Sequence, residues 1–505
     1  MIPNRFEVRC WPRIMCFPYN QGMFAVPFRN ACWLTRCGIG QVIRIGILPD
    51  EVLLIIFDFY VDPYLHSKPE IENWISLVHV CRRWRNLVFQ SPRRLNLRLF
   101  CTPETPARDT LDVWPALPIL INGNTNFTSS DDNDDVVFAL AHNNRVHEVD
   151  LWEVYDDDLE RVLAAMQVPF PKATHLRLSP PSRDQTLLAI PDSFLGGSAP
   201  SLRQFELDGI PFPGLSKFLL STTRLVDLHL HIPRSAYISP EEMVTSLSVL
   251  TSLEKFTLII QRFLSHPDNE TQRSPLATCS VLSALRDIEF RGSSGYLEDL
   301  VARIDAPRLY KFSITFNYQP NFSIPQLFKF ISRTPALKAP VEAHAIFDSH
   351  VVRVSLISPT FRYGVFRVEI GKRPAWHLSI LLQVFASSCP LFAVKNLYIK
   401  DQGSDLKMTS PVEIPRWREL LQPFDAVKNI YLSNVIAFHI ENSLQELGED
   451  RSIDVLPALQ NIFLRPPEVG LADPSGLVHS QGPMEQFVAA RQLLGQTITI
   501  AVSQW

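Results

Sequence analysis

The sequence predicts an α/β protein in which a short all-helical module is followed by an irregular solenoid of parallel strands and helices, interrupted by a β-hairpin. Three observations predict it. The pattern apolar-x-x-apolar-x-apolar recurs from Val146 to Leu464, its third positions 27, 29, 23, 28, 32 and 24 residues apart and, after a gap, 33 and 32. Each copy holds the apolar-x-apolar period of a strand with one buried face, and most follow a helical stretch. Forty prolines against nineteen glycines suit a chain that turns often between short elements.

Composition bounds the function classes. At 505 residues and 46% hydrophobic the chain is long enough for several domains or one repeat array. A net charge of −4 shows no basic excess, so nucleic acid is not an expected partner. The longest apolar run, Val52 to Phe57, stops at Asp58, far short of a bilayer span, so no membrane is expected either. The eight cysteines are scattered without Cys-x-x-Cys, and Cys10, Cys16, Cys32 and Cys37 have poor spacing for zinc. Free thiols in a reducing compartment, cytoplasm or nucleus, are the expectation.

Residues 1–46 hold six arginines, one glutamate and four prolines with no clear period. They read as a disordered extension or a mis-assigned start, whose removal leaves the fold intact. Residues 47–95 form the helical module. Pro49 sits at a helix start, and Asp50 and Glu51 put negative charge at the positive helix end. Val52, Ile55, Ile56 and Phe59 make one apolar stripe, with the helix ending near Tyr60. A second amphipathic run, Trp74 through Val88, gathers Leu77, Val80, Trp84, Leu87 and Val88 on one side and Arg82, Arg83 and Arg85 largely on the other. Two such short helices bury little between them, so much of this apolar surface needs a partner.

Residues 96–140 are expected as a linker. The first repeat block, 141–320, carries Leu202/Phe205/Leu207, Leu225/Leu228/Leu230, Leu253/Phe256/Leu258, Leu285/Ile288/Phe290 and Leu309/Phe312/Ile314, preceded by weaker copies at Val146 and Ala173. Residues 321–392 break the period. Val351 to Ile357 and Gly364 to Ile370 alternate around a short connection, which predicts an antiparallel hairpin that is inserted between the blocks or ends the first. The second block with its cap, 393–505, carries Val394/Leu397/Ile399, Val427/Ile430/Leu432 and Leu459/Ile462/Leu464. Helical stretches are expected at Leu215 to Leu220, Pro240 to Val249, Tyr296 to Ile304, Gln326 to Ile331, Trp376 to Ala386 and Arg416 to Leu421.

Two resemblances follow. Leu48-Pro49-x-Glu51 with Val80-Cys81-Arg82-Arg83-Trp84 resembles the F-box, and the long spacer and Cys-Arg-Arg-Trp-Arg ending resemble a fungal group of F-box proteins. The strand-plus-helix period resembles irregular leucine-rich repeats, although of the asparagines expected past the last leucine only Asn317 fits. The F-box resemblance implies docking to the Skp-type adaptor of a cullin ligase, with Leu48, Pro49, Ile56, Phe57, Val80 and Trp84 at the family's adaptor-facing and core positions. It implies a substrate-recruiting subunit of an SCF-type ubiquitin ligase that binds an unknown target protein through the repeats. The other reading is a leucine-rich-repeat scaffold that takes no part in ubiquitination.

No catalytic signature appears and no cofactor is expected: there is no phosphate-binding glycine loop, no Gly-x-Ser-x-Gly and no His-Glu-x-x-His. Asp131 to Asp135 and Asp156 to Asp158 lack the calcium-loop pattern and read as loop and helix-start charge. His229 and His231 share a strand face, but no third metal ligand accompanies them. The residues between the repeat apolars point away from the buried set. On the first block they form a mixed-charge, aromatic-poor wall expected to act mainly as a spacer. On the second, Tyr398, Tyr431 and Phe463 recur in register with Asn396, Asn429 and Asn461 beside them and Lys400 and Arg465 at the edge. That composition suits a protein interface hot spot.

Overall fold

The computed structural model describes residues 47–61, 73–102, 107, 111, 114–124, 132–181, 188–233, 235–261, 279–316, 324–348, 351–358, 364–371, 391–402, 414–445, 455–465 and 484–503. The extension 1–46, the stretch from Trp376 to Ala386, Asn317 and the cysteine set at 10, 16, 32 and 37 lie outside them. The chain divides into two compact units after Leu95.

The smaller unit is helical: α1 (Asp50–Val61), α2 (Asn73–Val80) and α3 (Arg82–Gln90). The single run expected from Trp74 to Val88 is therefore two helices, because Cys81 adopts extended backbone at φ −160° and ψ 169°. Pro49 precedes the first helical residue, and its carbonyl accepts the amides of Val52 and Leu53.

The larger unit is one 16-stranded sheet. Among the described residues its first nine strands in the chain, with two short pieces set apart, are β1 (Leu99–Cys101), β2 (Ile119–Asn124), β3 (Val146–Trp152), β4 (His175–Leu178), β5 (Gln204–Asp208), β6 (Asp227–Ile232), β7 (Lys255–Ile260), β9 (Asp287–Gly292) and β11 (Lys311–Phe316). The short β8 (Ser280–Val281) and β10 (Ile304–Asp305) pair with each other apart from the sheet. Then come β12 (Glu342–Phe347), β13 (Val351–Ser358), β14 (Gly364–Gly371), β15 (Asn396–Asp401), β16 (Asn429–Leu432), β17 (Asn461–Leu464) and β18 (Thr499–Val502).

Two expectations change here. Residues 96–140 are not a bare linker, since β1 and β2 open the sheet in parallel register. The short β1 and the prolines between it and β2 hide the repeat from the sequence pattern. The hairpin of β13 and β14 forms as expected, but it belongs to a three-strand meander whose first strand is β12. In an up-down-up meander the outer strands run the same way. Consequently β14 pairs parallel with β11 and β12 pairs parallel with β15, and the two blocks merge into one sheet. Two of the three buried residues of β12, Ala343 and Ala345, are too small to give a strong apolar signal, and only Phe347 supplies one.

Alternate residues form continuous buried rows, as in Leu176, Phe205, Leu228, Phe256, Ile288 and Phe312, each in register with the next. Helices cover this side: Phe218 packs on Phe205 at 5.4 Å, Phe330 on Phe312 at 5.7 Å and Trp417 on Phe347 at 6.0 Å. Their starts are chemically marked. Ser239 and Glu242 form a capping box around Pro240. The Glu298 carboxylate accepts the amides of Gln326 and Leu327 at the start of Pro325–Arg333. Asp156 to Asp158 fill the first turn of Asp156–Ala165, the helix-start role expected of them.

The C-terminal helix Glu485–Leu493 is tied down by Arg491, which is fully buried. Its guanidinium donates to the Val455 carbonyl and to Gln496 Oε1 and stacks on Phe487. Arg491→Ala is expected to cost about 2–3 kcal/mol, because it strands a buried carbonyl. A denaturant midpoint on the full chain checks it, and Arg491→Met should fall between the two.

Candidate interaction surfaces

The open face of the sheet is the side without helices. On the second block it carries a column of rings. His344, Tyr398, Tyr431 and Phe463 stand on β12, β15, β16 and β17 at mutually registered positions. Successive centroids are 4.3, 4.2 and 4.6 Å apart and the planes tilt by only 7°, 9° and 12°. Parallel register makes this possible, since neighbouring strands sit about 4.8 Å apart and hold equivalent side chains face to face. The rings are half-buried. The C-terminal helix, by contrast, packs against Asn434–Gln445, where the Gln486 amide donates to Glu441.

Beside the column runs an amide ladder. Thr499 Oγ1 donates to Asn461, Asn461 to Asn429 at 2.7 Å, Asn429 to Asn396 at 2.8 Å, and Asn396 to Glu342 at 3.3 Å. Each link polarises the next, and the chain ends on a carboxylate. His344 and Glu342 went unseen in the sequence because β12 did; their signal is the alternation of Glu342, His344 and Ile346 with two alanines and Phe347. Lys400 lies two residues past Tyr398 on β15, and Arg465 directly follows β17.

Burial holds the His344 imidazole below its ordinary value of 6.5, with nearby Glu342 acting in the opposite direction. Its Nε2 is enclosed without a hydrogen bond, 3.6 Å from the Glu342 carboxylate. Burial, and then the adjacent Tyr431, push the Tyr398 phenol above its usual range. A base whose folded pKa is depressed favours folding while neutral, so that stability is present above pH 6.5 and is lost as pH falls below it. His344→Phe, which keeps the stack, should therefore lose less melting temperature than wild type between pH 7 and pH 5.

The first block's face is the mixed-charge wall. It carries ion pairs between neighbouring strands, Arg177 with Glu206 at 3.2 Å and Lys311 with Asp287 at 2.8 Å. Such partly exposed pairs contribute about 0–1 kcal/mol each. Between them lies an open hollow of about 440 Å³ lined by His175, Gln204, His229, Thr257 and Glu289 among others. Among the described residues no group of three or more metal-binding side chains occurs.

The helical unit presents the second surface. Leu53, Leu54 and Phe57 are its buried side on α1, whereas Val52, Ile55, Ile56 and Phe59 are exposed, Phe59 by 66%. The expected stripe is thus the outer one, because α1 is apolar nearly all round. Trp74, Leu77, Val78, Leu87 and Val88 complete the core. Phe57 meets half-buried Trp84 edge-on at 4.8 Å. Arg83 closes the hairpin, donating to the Asp50 carboxylate and the Leu48 carbonyl at 2.6 Å each.

Residues 45–98 match the F-box-like family model. No curated protein matches the sequence. Among solved structures, the leucine-rich repeat-containing protein LegL7 of Legionella pneumophila is similar at 15% identity and a TM-score of 0.26, over 80% of this chain and 99% of that one. The structure of the Rad7 and Elc1 complex in yeast is similar at 11% identity and a TM-score of 0.30, over 84% of this chain and 91% of that one. The chain thus carries a helical F-box-like segment followed by a leucine-rich-repeat-like solenoid, as the strand register shows.

Within the F-box-like segment the six expected adaptor positions separate. Pro49, Ile56 and Val80 are exposed and Leu48 is half-buried. Of the side expected to gather Leu77, Val80, Trp84, Leu87 and Val88, Val80 is 52% exposed while Leu77, Leu87 and Val88 are buried. Phe57 is 0% exposed and so can only shape the surface from beneath, with Trp84 as its partner. Val52, Ile55 and Phe59, read in the sequence as one stripe with Ile56 but not among the adaptor positions, are exposed on α1 beside it.

Proposed function

We propose that this chain is the substrate-recruiting F-box subunit of an SCF-type ubiquitin ligase. The observation that carries the reading is the set of exposed apolar residues Val52, Ile55, Ile56 and Phe59 on α1, with Val80 at the end of α2, on a segment matching the F-box-like model. A patch of that composition on so small a helical unit calls for a protein partner. A Skp-type adaptor, and through it the cullin, is the partner the family suggests. The solenoid then holds a target protein on its open face, with the ring column of Tyr398, Tyr431 and Phe463 as the anchor and Lys400 and Arg465 beside it. Stacked rings offer apolar area at low side-chain entropy cost. The chain performs no chemistry in this reading. Its contribution is proximity, which raises the effective concentration of a target lysine near the charged conjugating enzyme.

Affinity capture of the tagged full chain from eukaryotic cells tests it. Recovery of adaptor and cullin together is the expected result. Capture of proteins on the solenoid without either would leave a leucine-rich-repeat scaffold and end the ligase reading.

A further inference from the structure

The ring column has one covered end and one open end. Beyond His344 the registered residue is Ser355 on β13, only 7% exposed, so that end is covered. Beyond Phe463 the registered residue is Ala501 on β18, which is exposed. Strand β18 is the last of the sheet among the described residues. It is held in register along its length: the amides of Thr499 and Ser503 donate to the carbonyls of Gln460 and Leu464, each at 3.0 Å.

Two rows reach this strand and end differently. The amide ladder crosses onto it, where Thr499 Oγ1 donates to Asn461. The ring row stops at Phe463, because position 501 carries only a methyl group. Strand parity sets Phe463 and Ala501 on the open face, since Ile462 between the two rows is fully buried in the core. Among the described residues Phe463 makes one ring contact, the stack on Tyr431 at 4.6 Å. Its other face is turned toward β18 and stands above that methyl group. What remains is a step one strand wide, with the Phe463 ring as wall and Ala501 as floor. Neighbouring strands lie about 4.8 Å apart, so one further ring there would continue the spacing of the column.

We propose that this step receives one aromatic side chain of the target protein, laid flat on Phe463 above Ala501 as the next ring of the column. The proposal rests on the reading of the open face as the target surface and names the group recognised there. An arginine guanidinium also stacks on rings. However, Lys400 and Arg465 follow Tyr398 and Phe463 by two positions and make this region of the chain cationic, which favours a neutral ring.

The test needs no target. Ligand-detected NMR titrations of the full chain compare N-acetyl-tryptophanamide, N-acetyl-leucinamide and N-acetyl-argininamide. The tryptophan derivative should bind about fivefold more tightly than the leucine derivative, and the arginine derivative no more tightly than leucine. Ala501→Phe supplies the missing ring from the chain itself. It should bring the tryptophan derivative down to the affinity of the leucine derivative, with a denaturant midpoint at or above that of wild type. Ala501→Ser leaves the step open and should keep the preference. Equal binding of the tryptophan and leucine derivatives to wild type, an aromatic preference unchanged in Ala501→Phe, or tightest binding of the arginine derivative would overturn the proposal. So would a lowered midpoint in Ala501→Phe, which would mean that the chain already fills the step. Failure of these titrations removes the step alone; target capture by Tyr431→Ala tests the reading of the column separately.

Discussion

Ile56→Glu and Val80→Glu are each expected to weaken adaptor binding by about 2 kcal/mol or more, roughly thirtyfold, and the double variant by the approximate product. Both side chains are exposed apolar groups on the F-box-like segment. Glutamate there adds a charge that an apolar interface must desolvate, while the free chain keeps its core. Melting temperature should therefore stay close to wild type. Phe57→Ala gives the contrast. That ring is buried against Trp84, so its loss should cost about 3–5 kcal/mol of helical-unit stability. Adaptor binding would then fail because the surface is no longer formed. Titration of purified adaptor onto each immobilised variant, beside a thermal melt, separates the two outcomes. Full adaptor affinity in the double variant would place the docking surface elsewhere.

Tyr431→Ala should weaken target capture by at least about 1 kcal/mol and destabilise the second block by about 1–3 kcal/mol, since it removes the ring that touches both neighbours. The stacks at 4.2 Å to Tyr398 and 4.6 Å to Phe463 both disappear. Tyr431→Phe keeps both stacks and should keep the stability, so capture lost in that variant reports the hydroxyl alone. The measurements are denaturant midpoints and recovery of proteins on the tagged chain. Adaptor affinity should not change in either variant. If Tyr431→Ala captures the same proteins at the same strength, the column is structural only.

The ring column was legible because strand parity and parallel register turn a spacing into a contact. Tyr398, Tyr431 and Phe463 recur 33 and 32 residues apart, and the registered strands place them face to face. The asparagines two residues earlier follow the same rule, and their ladder is its hydrogen-bonded counterpart. What escaped had weak or ambiguous periodicity. Strand β12 alternates with two alanines, so His344 and the meander that joins the blocks left little trace. On α1 nearly every position is apolar, and no period distinguishes Leu53, Leu54 and Phe57 from the outer stripe. The break at Cys81 is a backbone event inside a helical pattern.

Calorimetric titration of purified Skp-type adaptor into the full chain, repeated at several temperatures, bears most directly on the central claim. Docking onto the exposed apolar residues of α1 and α2 should give saturable one-to-one binding with a clearly negative heat-capacity change, the mark of apolar surface leaving water. No saturable binding, or binding whose enthalpy does not vary with temperature, would contradict it.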